Sequence, residues 1–183
     1  MLKGENINMR ALEPSDLELL YQWENDSSIW KVSQTLTPYS KHILTQFLET
    51  AHLDIFTTKQ LRLMIVKEGV SIGTIELFDY DPVNSRAGIG ILIAQENERR
   101  KGYAKEALGL MIEYAFKHLK INQLYCNISS SNKISLNLFS SLDFILVGVK
   151  KKWNKTSVGW VDSNDTKEGK ANNRRTEFEI TAN

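Results

Sequence analysis

Ile89-Gly90-Ile91-Leu92-Ile93-Ala94, followed after a short polar segment by Arg99-Arg100-Lys101-Gly102-Tyr103-Ala104, is the stretch that decides the fold. The first run has the length and composition of a buried strand. Ala104, Ala107, Leu108, Met111, Ile112, Ala115 and Phe116 then recur at helical spacing, which predicts an amphipathic helix over 103–119. A strand, a basic glycine loop and a helix N-terminus in that order gather unpaired backbone N–H groups and the positive end of the helix dipole. Arg99, Arg100 and Lys101 add positive charge, and Gly102 lets the backbone approach a ligand closely. The implied ligand is a phosphorylated cofactor.

Upstream, Ile7-Asn8-Met9-Arg10-Ala11-Leu12 alternates as a half-buried strand does. Pro14-Ser15-Asp16 signals a helix start, with Ser15 as its cap and Leu17, Leu20, Tyr21 and Trp23 as its apolar stripe. A second helix is predicted over 40–52, with Ile43, Leu44, Phe47 and Leu48 inward. Residues 61–66 and 71–78 read as an antiparallel pair joined at Lys67-Glu68-Gly69, and a loop over 79–84 leads to the strand 87–94. Downstream, residues 124–128 form a strand, Asn132 caps a helix carrying Ile134, Leu136, Leu138 and Phe139, and residues 144–150 form another strand. Over 150–175 eight Lys/Arg face only Asp162, Asp165 and Glu168, a polar insertion with a local excess of five positive charges. Residues 176–181 alternate again and return to the sheet. This order predicts an α/β (α+β) chain with a mixed sheet and helices on both faces, in one domain spanning 1–183.

With 183 residues, 42% of them hydrophobic, and a net charge of +1, the chain has no global pull toward nucleic acid or membrane. No apolar run is long enough to cross a bilayer, and Met1-Leu2-Lys3-Gly4 does not open a signal peptide. The single cysteine, Cys126, excludes an internal disulfide framework and fits a cytoplasmic setting. His42, His52 and His118 lack the spacing of a metal site, so no metal is expected. Trp153 and Trp160 among Lys150, Lys151, Lys152 and Lys155 read as a solvated hairpin in preference to a nucleic-acid surface.

Arg99-Arg100-Lys101-Gly102-Tyr103-Ala104 resembles the GNAT acetyltransferase signature Gln/Arg-x-x-Gly-x-Gly/Ala. Thirty residues beyond Gly102, Asn132-Lys133-Ile134-Ser135 with Leu138-Phe139 and Asp143-Phe144 resembles the family's second block, Asn-x-x-Ala/Ser-x-x-Leu-Tyr-x-x-x-Gly-Phe. Met9-Arg10-Ala11-Leu12-Glu13-Pro14-Ser15-Asp16, followed by Trp23-Glu24-Asn25-Asp26, is similar to the branch of spermidine and ribosomal-protein N-terminal acetyltransferases. The resemblance implies a mixed, mostly antiparallel central sheet and acetyl-CoA as cofactor. It places the pyrophosphate on the N–H groups of Arg99, Arg100, Lys101, Gly102, Tyr103, Ala104 and Lys105. It places the pantetheine arm on the strand edge at Leu92, Ile93 and Ala94, with Asn132 and Ser135 contributing.

The implied reaction is direct attack of a deprotonated primary amine on the thioester. A backbone N–H near Leu92–Ile93, Leu92 being the residue named, would meet the developing oxyanion, and Glu76 is a candidate water-mediated base. The family's proton-donating tyrosine falls on Phe139, which has no proton to give. Glu24, Asp26, Asp79 and Asp81 are candidate contacts for a small cationic acceptor such as a polyamine. The alternatives are a peptide acceptor, as in N-terminal acetylation of a ribosomal or other protein, and a catalytically weak acyl-CoA-binding module. Exposed strand edges and the family's habit suggest a homodimer.

Overall fold

The computed structural model describes residues 1–33, 35–150, 155–156, 159–160 and 177–182. The chain divides into two compact units, Met1–Asn122 and Gln123–Asn183.

In the first unit, β1 (Leu2–Lys3) and β2 (Asn8–Ala11) precede α1 (Leu17–Glu24), α2 (Ser27–Ser33), α3 (Lys41–Thr50) and α4 (Ile55–Thr58). Then come β3 (Leu61–Lys67), β4 (Val70–Asp81), β5 (Arg86–Ile93) and α5 (Tyr103–Glu113). The strands pair in the order β1 to β5, each pairing antiparallel. Period-two alternation sends Met64 and Ile65 of β3 to opposite faces. Met64 joins Leu12, Leu20 and Leu44 in a core ringed by side chains of α1 and α3, among them Tyr21, Trp23, Phe47 and Leu48. On the other face Ile65, Ile75, Leu77 and Ile89 are fully buried, and α5 lies against β4 and β5, bringing Ala107, Leu108 and Met111. Each of the buried Leu, Ile and Met side chains is worth about 1.5–3 kcal/mol of burial.

The sequence reading needs several corrections here. Ile43 is 49% exposed, because the inward stripe of α3 is Leu44, Phe47, Leu48 and Ala51, and Ile43 lies to its side. Ser15 caps nothing: Pro14–Asp16 is a 3-10 turn entered from Glu13, and the cap-like Asp16 carboxylate is taken by Arg10. Strand β4 runs on to Asp81 where a loop was expected. Tyr80 anchors it, buried, edge-on to Phe56 at 5.4 Å, with its N–H donating to Lys59 O at 3.0 Å. The predicted helix over 103–119 leaves the α form at Glu113 and closes in a turn of π-helix over Tyr114–His118. Helices α2 and α4 were not expected; both are too short for periodicity to register.

In the second unit, β6 (Gln123–Ser129), α6 (Lys133–Ser140), β7 (Ile145–Lys150), β8 (Lys155–Thr156), β9 (Gly159–Trp160) and β10 (Glu177–Ala182) follow one another. Strand β10 pairs antiparallel with β6 on one side and β7 on the other, and β8 pairs with β9. Helix α6 buries Phe139, whose ring meets Phe144 edge-on at 5.0 Å, whereas Ile134 is 63% exposed. Most of the basic insertion, Trp153 included, lies outside the described residues.

Candidate acetyl-transfer site

The anion loop has the geometry its sequence implies. Arg100 and Gly102 take left-handed φ values of 63° and 90°, which curls the chain and starts α5 at Tyr103. The first helical bond runs from Glu106 N–H to Gly102 O at 3.1 Å, so the N–H groups of Tyr103, Ala104 and Lys105 precede it. A diphosphate fits this arrangement, since fixed donors and the helix dipole converge there.

The basic side chains divide their work. Lys101 pairs with Glu98 at 3.1 Å, and Lys67 reaches the same Glu98 oxygen at 3.4 Å while lying over the Tyr103 ring. Hydrogen bonding to Lys101 leads the causes that hold the Glu98 carboxyl below its usual range. Arg99 turns back onto β5, with Nε donating to Ile93 O at 2.9 Å and NH2 to Ala94 O at 3.1 Å. Ile93 and Ala94 belong to the strand edge that the resemblance gave to the pantetheine arm. Arg100 and Lys105 are exposed and have no ion-pair partner among the described residues.

The oxyanion contact was expected near Leu92–Ile93, and strand register distinguishes the two. Ala94 N–H donates to Ile72 O at 2.9 Å, and Thr74 stands opposite Leu92. Antiparallel alternation therefore aims the Leu92 N–H at β4, while Ile93 turns its N–H and C=O to the opposite edge of β5.

On the face of the sheet away from α5, half-buried Thr74, Glu76 and Phe78 of β4 stand opposite Leu92, Gly90 and Gly88 of β5. Arg62 lies across from Glu76 on β3 and joins two acids. Its NH1 meets Glu24 Oε1 of α1 at 2.6 Å, its NH2 meets Glu76 Oε2 at 2.8 Å, and its Nε donates to that same oxygen at 2.9 Å. Gln60 Nε2 is a third donor group on Glu76 Oε2, at 2.9 Å. Burial opposes the Arg62 charge, and the Glu76 and Glu24 carboxylates outweigh it, so the guanidinium pKa is raised. With Oε2 saturated, Glu76 presents Oε1, which has no donor among the described residues, toward Gly90.

The remaining acids are differently engaged. Asp26 accepts from Ser28 N–H at 2.9 Å at the start of α2. Asp81 accepts from Val83 N–H, Asn84 N–H and Asn84 Nδ2 and pairs with Arg86 at 3.2 Å, so it builds the turn between β4 and β5. Asp79 is exposed at the β4 irregularity, with φ 49°. In the second unit Asn132 Oδ1 accepts from Ser135 N–H at 3.1 Å and caps α6, while the Phe139 ring is buried. The sequence reading missed Arg62. Its signal was a charged residue inside the apolar run Leu61-Arg62-Leu63-Met64-Ile65-Val66, which demands a partner.

A strand, a basic glycine loop and a helix N-terminus beside a polar sheet face suit a cofactor that carries a diphosphate. The chain belongs to the GNAT acetyltransferase family, whose domain matches residues 6–145. It is an acetyl-CoA-dependent N-acetyltransferase with the GNAT fold. The chain is 26% identical to the spermidine N(1)-acetyltransferase of Escherichia coli K12 over 148 residues, covering 81% of this chain and 77% of that one. It is 26% identical to an uncharacterized N-acetyltransferase p20 of Bacillus licheniformis over 165 residues, covering 88% and 91%. Among solved structures, the spermidine N-acetyltransferase of Vibrio cholerae in complex with CoA and spermine superimposes with a TM-score of 0.80 at 17% identity, covering 97% of this chain and 95% of that one. Among the described residues no helix is long and apolar enough to cross a membrane, and no group of His, Cys, Asp and Glu is arranged to hold a metal.

Proposed function

We propose that this enzyme acetylates a primary amine of a small linear polyamine. The observation that carries the reading is Glu76, whose Oε2 is held by Arg62 and Gln60 and whose Oε1 is offered to an incoming cation. A carboxylate fixed in this way binds an ammonium well. It is a cation contact in the first instance, and the base role given to it by sequence is secondary. Relatives named spermidine N(1)-acetyltransferases, in Escherichia coli and in Vibrio cholerae at 22% identity over 145 residues, support the same substrate class.

Acetyl-CoA supplies the activated acetyl thioester. The N–H groups of Arg99–Lys105 hold its diphosphate, and of the pair Leu92–Ile93 it is Ile93, whose backbone faces the outer edge of β5, that serves as the N–H donor to the acyl oxygen. By family resemblance Asn132 and Ser135 contribute to the pantetheine arm. Phe139 offers no proton, so the departing thiolate takes one from water or from another group. Assembly into oligomers belongs to this reading too, since a Vibrio cholerae spermidine N-acetyltransferase is described as dodecameric.

The test is free-thiol release from acetyl-CoA with spermidine, a monoamine and a short peptide as separate acceptors. Turnover with spermidine supports the proposal. Turnover confined to the peptide replaces it with N-terminal acetylation.

A further inference from the structure

We propose that Glu106 is a positioning residue of the cofactor site, because its carboxylate fastens the first turn of α5 to the turn between β1 and β2 and so fixes the N–H groups that receive the diphosphate. The inference rests on the reading that the loop before α5 holds that diphosphate, and adds what holds the loop.

The tether joins residues 100 positions apart. Glu106 Oε1 accepts the N–H of Asn6 at 2.8 Å and that of Ile7 at 3.2 Å, and Oε2 accepts Asn6 Nδ2 at 3.0 Å. Successive N–H groups of a turn make a concavity that takes an anion, and here the anion is a side chain of α5. The turn is shaped for it. Gly4 N–H donates to Ile7 O at 2.9 Å, and a Cβ at Gly4 would run into Glu106 Oε1 and stand 2.8 Å from Ile7 O. Ile7 is buried and seats the turn on the core. Burial opposes the charge on Glu106, and the bonds led by the Asn6 N–H outweigh it, so the carboxyl pKa is lowered.

The same residue closes the start of the helix. Glu106 N–H makes the first helical bond, to Gly102 O at 3.1 Å, and Gly102 is the left-handed residue at which the loop ends. Tyr103, Ala104 and Lys105, whose N–H groups precede that bond, lie between the two. Ala107 and Leu108 are fully buried and seat the body of α5, and Glu106 carries that footing into the first turn. Sign separates this role from an effect of charge. An acid one turn from a diphosphate repels it, so on charge alone removing Glu106 tightens binding. Removing a positioning residue weakens it.

The experiment measures CoA affinity by calorimetric titration, with melting temperature alongside, in wild type, Glu106→Ala, Glu106→Gln, Gly4→Ala and the double variant Gly4→Ala with Glu106→Ala. Glu106→Ala is expected to bind CoA about tenfold more weakly, within the range by which packed networks couple distant groups. Glu106→Gln keeps an acceptor for both main-chain N–H groups and is expected to retain most of the affinity. Gly4→Ala leaves Glu106 in the chain but displaces its carboxylate, so it should weaken CoA binding as Glu106→Ala does, and the double variant should be no worse than either single one. Where Glu106→Ala does not fold, Gly4→Ala and Glu106→Gln decide the matter. Unchanged or tighter binding in Glu106→Ala, or losses that add in the double variant, overturns the inference, whatever the melting temperatures, and leaves the loop reading standing where Arg100→Glu still weakens CoA. Affinity unchanged in Arg100→Glu as well overturns the loop reading itself.

Discussion

Arg62 and Glu76 face each other across β3 and β4, and the guanidinium closes on one carboxylate oxygen through two nitrogens, at 2.8 Å and 2.9 Å. Because the same Arg62 also holds Glu24 of α1, a single side chain joins the helix to the sheet and orients the acid that faces the acceptor.

Replacing Arg62 with Met leaves two partly buried acids close together with no counter-charge. The expected loss is about 3 kcal/mol of stability, since removing one partner of a buried pair strands the other. Urea unfolding measures it. Adding Glu24→Gln to Arg62→Met recovers part of the loss, and strict additivity of the two changes would show that the acids are not coupled through Arg62.

Arg10 and Asp16 form a second lock, two-pronged at 2.7 Å and 2.8 Å, with Asp16 almost completely buried and also accepting the Glu13 N–H. Burial pushes the Asp16 carboxyl up, and the bonds from Arg10 and Glu13 more than offset that, so its pKa lies below the usual carboxylate range. The stabilisation is therefore whole above the unfolded-state pKa of about 3.9 and fades as pH falls through the lower folded value. Asp16→Ala is expected to cost about 3–5 kcal/mol at neutral pH. Denaturation midpoints between neutral pH and pH 3 should fall more gently in Asp16→Asn than in wild type.

Sequence alone placed the loop before α5, because a helix start after a glycine loop is a local feature fixed by neighbouring residues. Leu44, Phe47 and Leu48 were legible for the same reason. Glu24 and Glu76 could be singled out, but their meeting through Arg62 could not, since it depends on strand register and on the seating of α1, between residues 14 and 38 positions apart. Leu92 shows the same limit: which of two adjacent N–H groups faces outward is a property of the ladder, invisible in the run Ile91-Leu92-Ile93. Asp81 read as a substrate contact from charge alone, and the turn it closes accounts for the residue.

In the loop, Arg100 has no ion-pair partner among the described residues, whereas Lys101 is held by Glu98. Arg100→Glu should weaken CoA binding more than Lys101→Glu, and the double variant by at least about tenfold, because attraction to phosphate becomes repulsion. Calorimetric titration with CoA separates the three variants. Equal affinity in all of them would remove the loop from the cofactor site.

Phe139 lies buried against Phe144. Phe139→Tyr places a hydroxyl in that contact and is expected to cost about 1–3 kcal/mol where it finds no acceptor. Thermal unfolding measures the cost, and CoA affinity should be retained.

The most direct test of the account is acceptor-dependent thiol release from acetyl-CoA by the full chain. The account predicts release that saturates with spermidine and is far slower with butylamine or a short peptide. CoA binding with no release above background for any amine would contradict it and leave an acyl-CoA-binding module.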